Sequence, residues 1–330
     1  MNQLLGALRA AGESTRLRIL AALKHGELSV SELTRILDQS QPRVSRHLKL
    51  LCESGLLERY QEGAWVFHRI TDRKGVGEIA HGLVNMIDLE APELARDQKK
   101  LIEIRHDKTR LAASYFSKHA EEWDSISARM VSNSDIERYL VERVKGRQVD
   151  TFIDLGTGTG RILEILAPHV RNGVGFDINR EMLSVARSNL ENQEVTNCTV
   201  RRSGIHDINL NDNSADLVTI HQVLHYCENP EVVVAEAARL LKPDGQLLIV
   251  DFLPHNLEYL RELHAHHRLG FGHAVINQWC QRAGLQIAHQ ETLEARTGKQ
   301  NAETLTVGLW DARKSQPSLD GIANGCRHLV

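Results

Sequence analysis

The apolar run Thr151-Phe152-Ile153-Asp154-Leu155 leads directly into Gly156-Thr157-Gly158-Thr159-Gly160, followed by a helix-favouring stretch from Arg161 to Ala167. A strand that ends in spaced glycines and reopens as a helix turns sharply and leaves bare backbone at the crossover, where a ligand can approach. The helix N-terminus adds free N–H groups to the same place. About twenty residues further on, the apolar run Gly173-Val174-Gly175-Phe176 ends in Asp177, placed to accept hydrogen bonds from both hydroxyls of a ribose. Short apolar strands alternate with helical stretches from residue 149 onward. This body therefore reads as an α/β domain with a largely parallel, Rossmann-like sheet.

Two ligand classes use a strand, a glycine loop, a helix and an acidic ribose clamp. Dinucleotide enzymes favour G-x-G-x-x-G, and the last glycine would fall on Arg161. The pattern G-x-G-x-G preceded by Asp154-Leu155 instead resembles class I S-adenosylmethionine-dependent methyltransferases. Two further stretches agree: Asn213 to Ile220 followed by His221-Gln222-Val223-Leu224-His225-Tyr226, and Leu240 to Val250 with Pro243-Asp244-Gly245 at its turn. The resemblance covers roughly residues 115–312, in line with ordinary domain size. It implies S-adenosylmethionine as cofactor, met by Asp154, Gly156, Thr157, Gly158, Gly160, Asp177, Ile178 and His221. An adenine-facing acid is expected just after the third strand, but Gly204 stands there. Asp207 in Ser203-Gly204-Ile205-His206-Asp207 can replace it by a local shift, or backbone alone can hold the base.

Methyl transfer from a sulfonium is an in-line displacement, so a site must orient donor and acceptor and remove a proton where the acceptor carries one. His221, His225, Tyr226 and Asp251, at the ends of the fourth and fifth strands, are the candidate catalytic groups. His264-Ala265-His266-His267 reads as a helix with histidines on several faces rather than a metal site, and no metal is expected. Arg261, Glu262 and Arg268 can meet a charged acceptor.

The head of the chain has a different character. Residues 1–75 hold 12 Lys+Arg against 8 Asp+Glu, and residues 76–330 hold 28 against 35. A basic module on an acidic body points to different partners for the two. Ser14 or Thr15 can cap a first helix ending near Gly26, and Ser29 with Glu32 makes a capping box for Val30 to Leu37. Ser40 caps a third helix with Pro42 in its first turn. Val44, Leu48 and Leu51 share one face of it, and Pro42, Ser45, Arg46 and Lys49 lie opposite, flanked by Gln41 and Arg43. Such a helix buries one stripe and offers donors to the major groove on the other. Two strands, Gly55 to Tyr60 and Trp65 to Ile70, with a turn at Gln61-Glu62-Gly63-Ala64, complete a winged helix-turn-helix whose wing carries Arg59 and Arg69 towards a phosphate or the minor groove.

Residues 14–72, most of all Asp38-Gln39-Ser40-Gln41-Pro42-Arg43-Val44-Ser45-Arg46-His47-Leu48, resemble the DNA-binding domain of the ArsR/SmtB transcriptional repressors. The resemblance implies operator DNA as partner and a homodimer through the helix after the wing, where Val76, Ile79, Leu83, Met86 and Ile87 form an apolar stripe. That stripe can equally pack on its own domain. Many members bind metal through a Glu-Leu-Cys-Val-Cys box, and this chain reads Glu27-Leu28-Ser29-Val30-Ser31, with hydroxyls that are poor ligands for soft metals. At the family's second site, Asp72-Arg73-Lys74, Asn85 and Asp88 lack the histidine ligands.

The expected layout is a winged-helix domain with its dimerisation helix at 1–90, a helical connector at 91–145 with a solvated second helix, the methyltransferase domain at 146–314 and a loose tail at 315–330. No apolar run nears the roughly 18 residues a bilayer needs, and Met1 to Glu13 lacks the pattern of a signal peptide. Cys52, Cys198, Cys227, Cys280 and Cys326 are odd in number and never paired as C-x-x-C, which points to the cytoplasm and away from disulfides or a zinc ribbon. The expected function is a cytoplasmic regulator that binds DNA, methylates a small molecule and links the state of that site to the operator. The alternatives are a non-catalytic sensor of S-adenosylmethionine or its demethylated product and, ranked last, a nucleic-acid methyltransferase. The sequence does not name the acceptor, the operator or the sign of regulation.

Overall fold

The computed structural model describes residues 2–62, 65–71, 73, 75–120, 123, 133–206, 208–294 and 305–315. They fall into two units, one of residues 1–112 with 256–265 and the other of 113–255 with 266–330.

The first unit opens with α1 (Asn2–Ala11) and α2 (Ser14–Ala22). The cap of α2 is Glu13 rather than Ser14 or Thr15: its carboxylate accepts from the Arg16 N–H at 3.0 Å, a stronger, charged version of the expected bond. A two-residue strand β1 (Leu28–Ser29) leads into α3 (Val30–Leu37), and Ser29 and Glu32 close the capping box as expected. Next come α4 (Gln41–Glu53), β2 (Leu57–Glu62), β3 (Trp65–Ile70), α5 (Val76–Met86) and α6 (Pro92–His119). The three strands pair antiparallel in the order β1-β3-β2. Val44, Leu48 and Leu51 are buried with Ile19, Leu20, Leu33 and Ile36 in one core.

Two expectations about the helices after the wing change. The start of α6 is not a solvated strut, because Leu101 and Ile104 join that core and the buried Asp97 takes two hydrogen bonds from Arg18, at 2.6 and 2.7 Å. The stripe on α5 divides: Val76, Ala80 and Val84 are buried at helical spacing, whereas Ile79 and Leu83 are half-buried and Met86 is exposed. The wing turn at 63–64 and Asp72, Lys74 and Asp207 lie outside the described residues, as does the tail from 316.

In the second unit, α7 (Asn133–Val144) precedes an alternating series: β4 (Thr151–Leu155), α8 (Arg161–Leu166), β5 (Asn172–Asp177), α9 (Arg180–Asn192), β6 (Cys198–Arg202), β7 (Ala215–His221), α10 (Pro230–Leu240) and β8 (Leu241–Phe252). The chain closes with α12 (His273–Arg282), β9 (Leu285–Glu294) and β10 (Thr306–Lys314), and the short α11 (Tyr259–His264) belongs to the first unit. The sheet order is β6-β5-β4-β7-β8-β10-β9. The first five strands are parallel, and β10 lies antiparallel between β8 and β9. Strand order reverses beside β4, so the carboxyl ends of β4, β5 and β7 open on the crevice where such sheets bind ligands. Ile153, Leu155, Val218, Ile220, Leu247 and Ile249 are fully buried, as strands covered on both faces require. The histidine run at 264–267 is not one helix. It ends at His264, and Ala265 turns left-handed at φ 56°.

Candidate functional site

The glycine loop and Asp177 are built as one piece. Asp177 Oδ2 accepts from the Gly158 N–H at 3.0 Å and Oδ1 from the Asn179 N–H at 2.8 Å, while the Gly156 and Thr157 N–H groups both donate to the Phe176 carbonyl. Burial pushes the Asp177 carboxyl up, and the backbone N–H bonds oppose that. Each oxygen keeps a lone pair for a further donor. At Gly158 φ is +52° and an added Cβ would meet no atom of the described residues within 4 Å, so the loop borders open space among them. Ile178, the next residue after Asp177, is an apolar side chain 53% exposed. Gly204 also borders open space.

Asp154 lies beneath the loop, fully buried, and accepts from the Thr219 hydroxyl at 2.5 Å. Burial raises its pKa to about 6. His221 ends β7 and is half-buried; burial holds its pKa down to about 4, so its imidazole is neutral near pH 7.

Of the four candidate catalytic residues, the structure joins two directly. His225 Nδ1 lies 2.7 Å from Asp251 Oδ1, with both side chains buried. The same carboxylate oxygen accepts from the Phe252 N–H at 2.8 Å. His225 Nε2 has no hydrogen-bond partner among the described residues. A carboxylate on Nδ1 fixes the tautomer with its proton there and leaves Nε2 as a proton acceptor. Tyr226 packs on His225 at 4.0 Å between ring centroids, and its hydroxyl is 3.4 Å from His266 Nε2.

Three side chains beside the dyad were not among the catalytic candidates of the sequence. His266 is buried, with its ring 4.3 Å from that of His225, and the N–H groups of His267 and Arg268 donate to the His225 carbonyl at 2.9 and 3.0 Å. Phe116 and Trp123 pack edge-on to Tyr226 at 4.7 and 6.4 Å. No spacing announces His266. Tyr115-Phe116 with Trp123 was a legible signal in a chain of only six Phe, four Trp and five Tyr. No group of three or more His, Cys, Asp or Glu able to hold a metal occurs among the described residues.

In the first unit, Ser40, Gln41, Pro42, Arg43, Ser45, Arg46 and Lys49 are all exposed along α4. Burying Val44, Leu48 and Leu51 turns that polar face outward. On the wing Arg59 is exposed. Arg69 is half-buried and donates to Glu58 at 3.0 Å, so it is already engaged.

Comparison with known proteins separates the same two parts. Residues 13–59 match the bacterial regulatory protein, arsR family, and residues 153–249 match a methyltransferase domain. The arsenical resistance operon repressor of Escherichia coli is 52% identical over 60 residues, 18% of this chain and 51% of that protein. The methyltransferase YcgJ of Bacillus subtilis is 27% identical over 136 residues, 41% of this chain and 53% of that protein. The chain thus spans about half the length of these curated relatives. A chain from the Haloferax volcanii complex of the Trm112 methyltransferase activator with its candidate methyltransferase superposes with a TM-score of 0.52 at 20% identity, covering 61% of this chain and 98% of its own, a likeness of fold. The chain thus joins an arsR-type regulatory domain to a methyltransferase domain.

Proposed function

We propose that this protein is a DNA-binding transcriptional regulator that binds S-adenosylmethionine, transfers its methyl group to a small molecule, and links the state of that site to the operator. The observation that carries the reading is the open space at Gly158 beside an Asp177 carboxylate already held by two backbone N–H groups. Such a cradle fits a ribose on Asp177 and a flat apolar base beside the exposed Ile178. Asp154, Gly156, Thr157, Gly160 and His221 complete the candidate cofactor contacts. Asp207 lies outside the described residues, and the adenine contact proposed here is with Ile178. When bound, S-adenosylmethionine supplies a methyl group on a positively charged sulfur.

The chain's own residues then have separate tasks. Asp177 orients the ribose. Asp251 holds the His225 ring through Nδ1, and His225 Nε2 takes the acceptor's proton. A buried base with a nitrogen unpaired among the described residues favours turnover over sensing alone. Thiol chemistry is disfavoured here, since burial pushes the Cys227 thiol well up and the Cys280 thiol up to about 12.

The exposed α4 face is the operator-reading surface, with Arg46 and Lys49 at its centre. Met86, 85% exposed near the end of α5, supports a homodimer through that helix, while Ile79 and Leu83 pack partly on their own core. Arsenite is an unsuitable inducer for this copy, whatever the named role of its Escherichia coli relative. The Ser29 hydroxyl is bonded to Glu32 at 2.7 Å and to Ser31 at 3.0 Å, and hydroxyls bind soft ions poorly.

Coupling has a ready route along the chain. Residues 256–265 belong to the winged-helix unit, although His255 and His266 on either side of them belong to the other. Within that segment the Arg261 guanidinium lies 5.6 Å from the Trp65 ring of the wing. A shift of Asp251 or His266 on ligand binding would therefore reach a segment held against the wing.

Titration calorimetry of the full chain with S-adenosylmethionine and S-adenosylhomocysteine tests the cofactor assignment. Asp177→Ala should weaken binding at least about tenfold, which corresponds to ~1.4 kcal/mol. Equal binding by the variant, or none by the wild type, would remove the assignment and leave only the DNA-binding half.

A further inference from the structure

The proton-accepting nitrogen of the site sits among rings, and this bears on what it deprotonates. His225 is 1% exposed and its Nε2 is unpaired among the described residues. A buried polar atom without a partner is costly, and this one belongs to a ring whose other nitrogen is fixed by Asp251, which leaves Nε2 available to a proton. The His225 ring lies 4.0 Å from Tyr226 and 4.8 Å from Phe252, with Phe116 4.7 Å beyond on Tyr226 and Trp123 5.1 Å from Phe116. The segment after β7 that carries His225 also touches the donor loop, because Val223 packs against Gly156.

Two chemical demands follow. The aromatic faces suit a flat, apolar acceptor, held by stacked or edge-on contacts. The dyad suits an acceptor whose reacting atom carries a proton to lose. A tertiary amine has none and would leave His225 idle, whereas a phenolic or enolic hydroxyl attacks well only as its proton departs.

We propose, on the basis of the methyltransferase reading above, that the acceptor is a small aromatic molecule bearing a hydroxyl, methylated on oxygen, with His225 as its base and Phe116, Trp123 and Tyr226 gripping its ring. The hydroxyl oxygen uses its own electron pair to form the new O–CH3 bond. The CH3–S bond breaks with its pair remaining on sulfur, which leaves neutral S-adenosylhomocysteine. The hydroxyl proton passes to His225 Nε2 and afterwards to water.

The test uses the full chain with S-adenosylhomocysteine and 4-nitrophenol, whose phenol and phenolate forms absorb at different wavelengths. Saturable binding is expected, with the bound probe ionising at lower pH than the free one, and N,N-dimethylaniline should bind more weakly. His225→Gln should keep S-adenosylhomocysteine affinity and lose the ionisation shift. Phe116→Ala and Trp123→Ala, at half-buried positions, should weaken 4-nitrophenol about fivefold or more, as loss of a ring contact implies, with the product's affinity unchanged. If S-adenosylhomocysteine binds and 4-nitrophenol does not, or the shift survives His225→Gln, the acceptor class is wrong and the methyltransferase reading stands. If S-adenosylhomocysteine itself fails to bind, both fall.

Discussion

Gly156 packs directly against Val223, so closely that a Cβ on the glycine would stand 2.4 Å from Val223 Cγ2. The loop that would hold the methyl donor and the segment that carries His225 therefore meet at a residue with no side chain. Gly158, two residues on, has the same left-handed backbone but no described residue within 4 Å of an added Cβ. Two substitutions that look alike in sequence should then act differently. Gly156→Ala should lower the stability of the ligand-free protein, through overpacking worth about 1–3 kcal/mol together with backbone strain. Gly158→Ala should cost only the strain, about 1 kcal/mol, yet lose most affinity for S-adenosylmethionine. Thermal unfolding and calorimetry on both variants separate the cases, and equal loss of stability at both positions would contradict this account.

The His225–Asp251 pair makes a kinetic prediction. Asp251→Asn should keep the size of the side chain while disturbing the tautomer that leaves Nε2 free, so kcat should fall by about 10²–10⁴-fold. The KM for S-adenosylmethionine should change little, because Asp251 does not belong to the glycine loop. A variant with unchanged kcat, or with its whole loss in cofactor KM, would take His225 out of the proton transfer.

Much of this was readable before the fold was known, and the limits have physical causes. The glycine loop and Asp177 are local signals, since the turn and the strand end that follow are set by a few adjacent residues. The outward face of α4 was legible for the same reason, as burial of Val44, Leu48 and Leu51 at helical spacing fixes where Arg46 points. His225 and Asp251 were both candidates, but their pairing depends on β7 and β8 lying side by side, with His221 opposite Val250. His266 comes to the dyad only because Ala265 ends the helix with a left-handed residue. Tertiary packing also overrode the expected solvated connector, where Leu101 and Ile104 are drawn into the winged-helix core.

The buried Asp154 gives a pH dependence of defined sign. Its pKa is raised to about 6 in the folded protein, against about 3.9 in an unfolded chain. The folded state thus binds a proton more tightly, and stability falls as pH rises from about 4 to about 6, by about 3 kcal/mol at most. Asp154→Asn should flatten that part of the stability profile and raise the melting temperature of the ligand-free protein above pH 6. Denaturation curves across this range, with the same slope in wild type and variant, would assign the pH dependence to another group.

On the DNA side, ion pairing distinguishes arginines that the sequence placed together. Arg46 is exposed on α4, while Lys49 is exposed and 3.8 Å from Glu53, a contact that water screens. Arg69 is held by Glu58 at 3.0 Å, and Glu58 also accepts from the Thr71 hydroxyl at 2.9 Å. Arg46→Ala should cost about 1–3 kcal/mol at one operator position if it reads a base edge. Lys49→Ala should weaken binding evenly across sequences and reduce the salt slope by about one. Arg69→Ala should change operator affinity less than either, because its guanidinium must leave Glu58 to reach a phosphate; its main effect should be a modest loss of wing stability. Fluorescence anisotropy on genomic fragments selected by the wild-type protein, repeated over a range of salt concentrations, gives all three values. An Arg69→Ala defect as large as that of Lys49→Ala would mean that the wing gives up its Glu58 pairing on DNA, and unchanged binding in an Arg46→Ala, Lys49→Ala double variant would remove α4 as the reading helix.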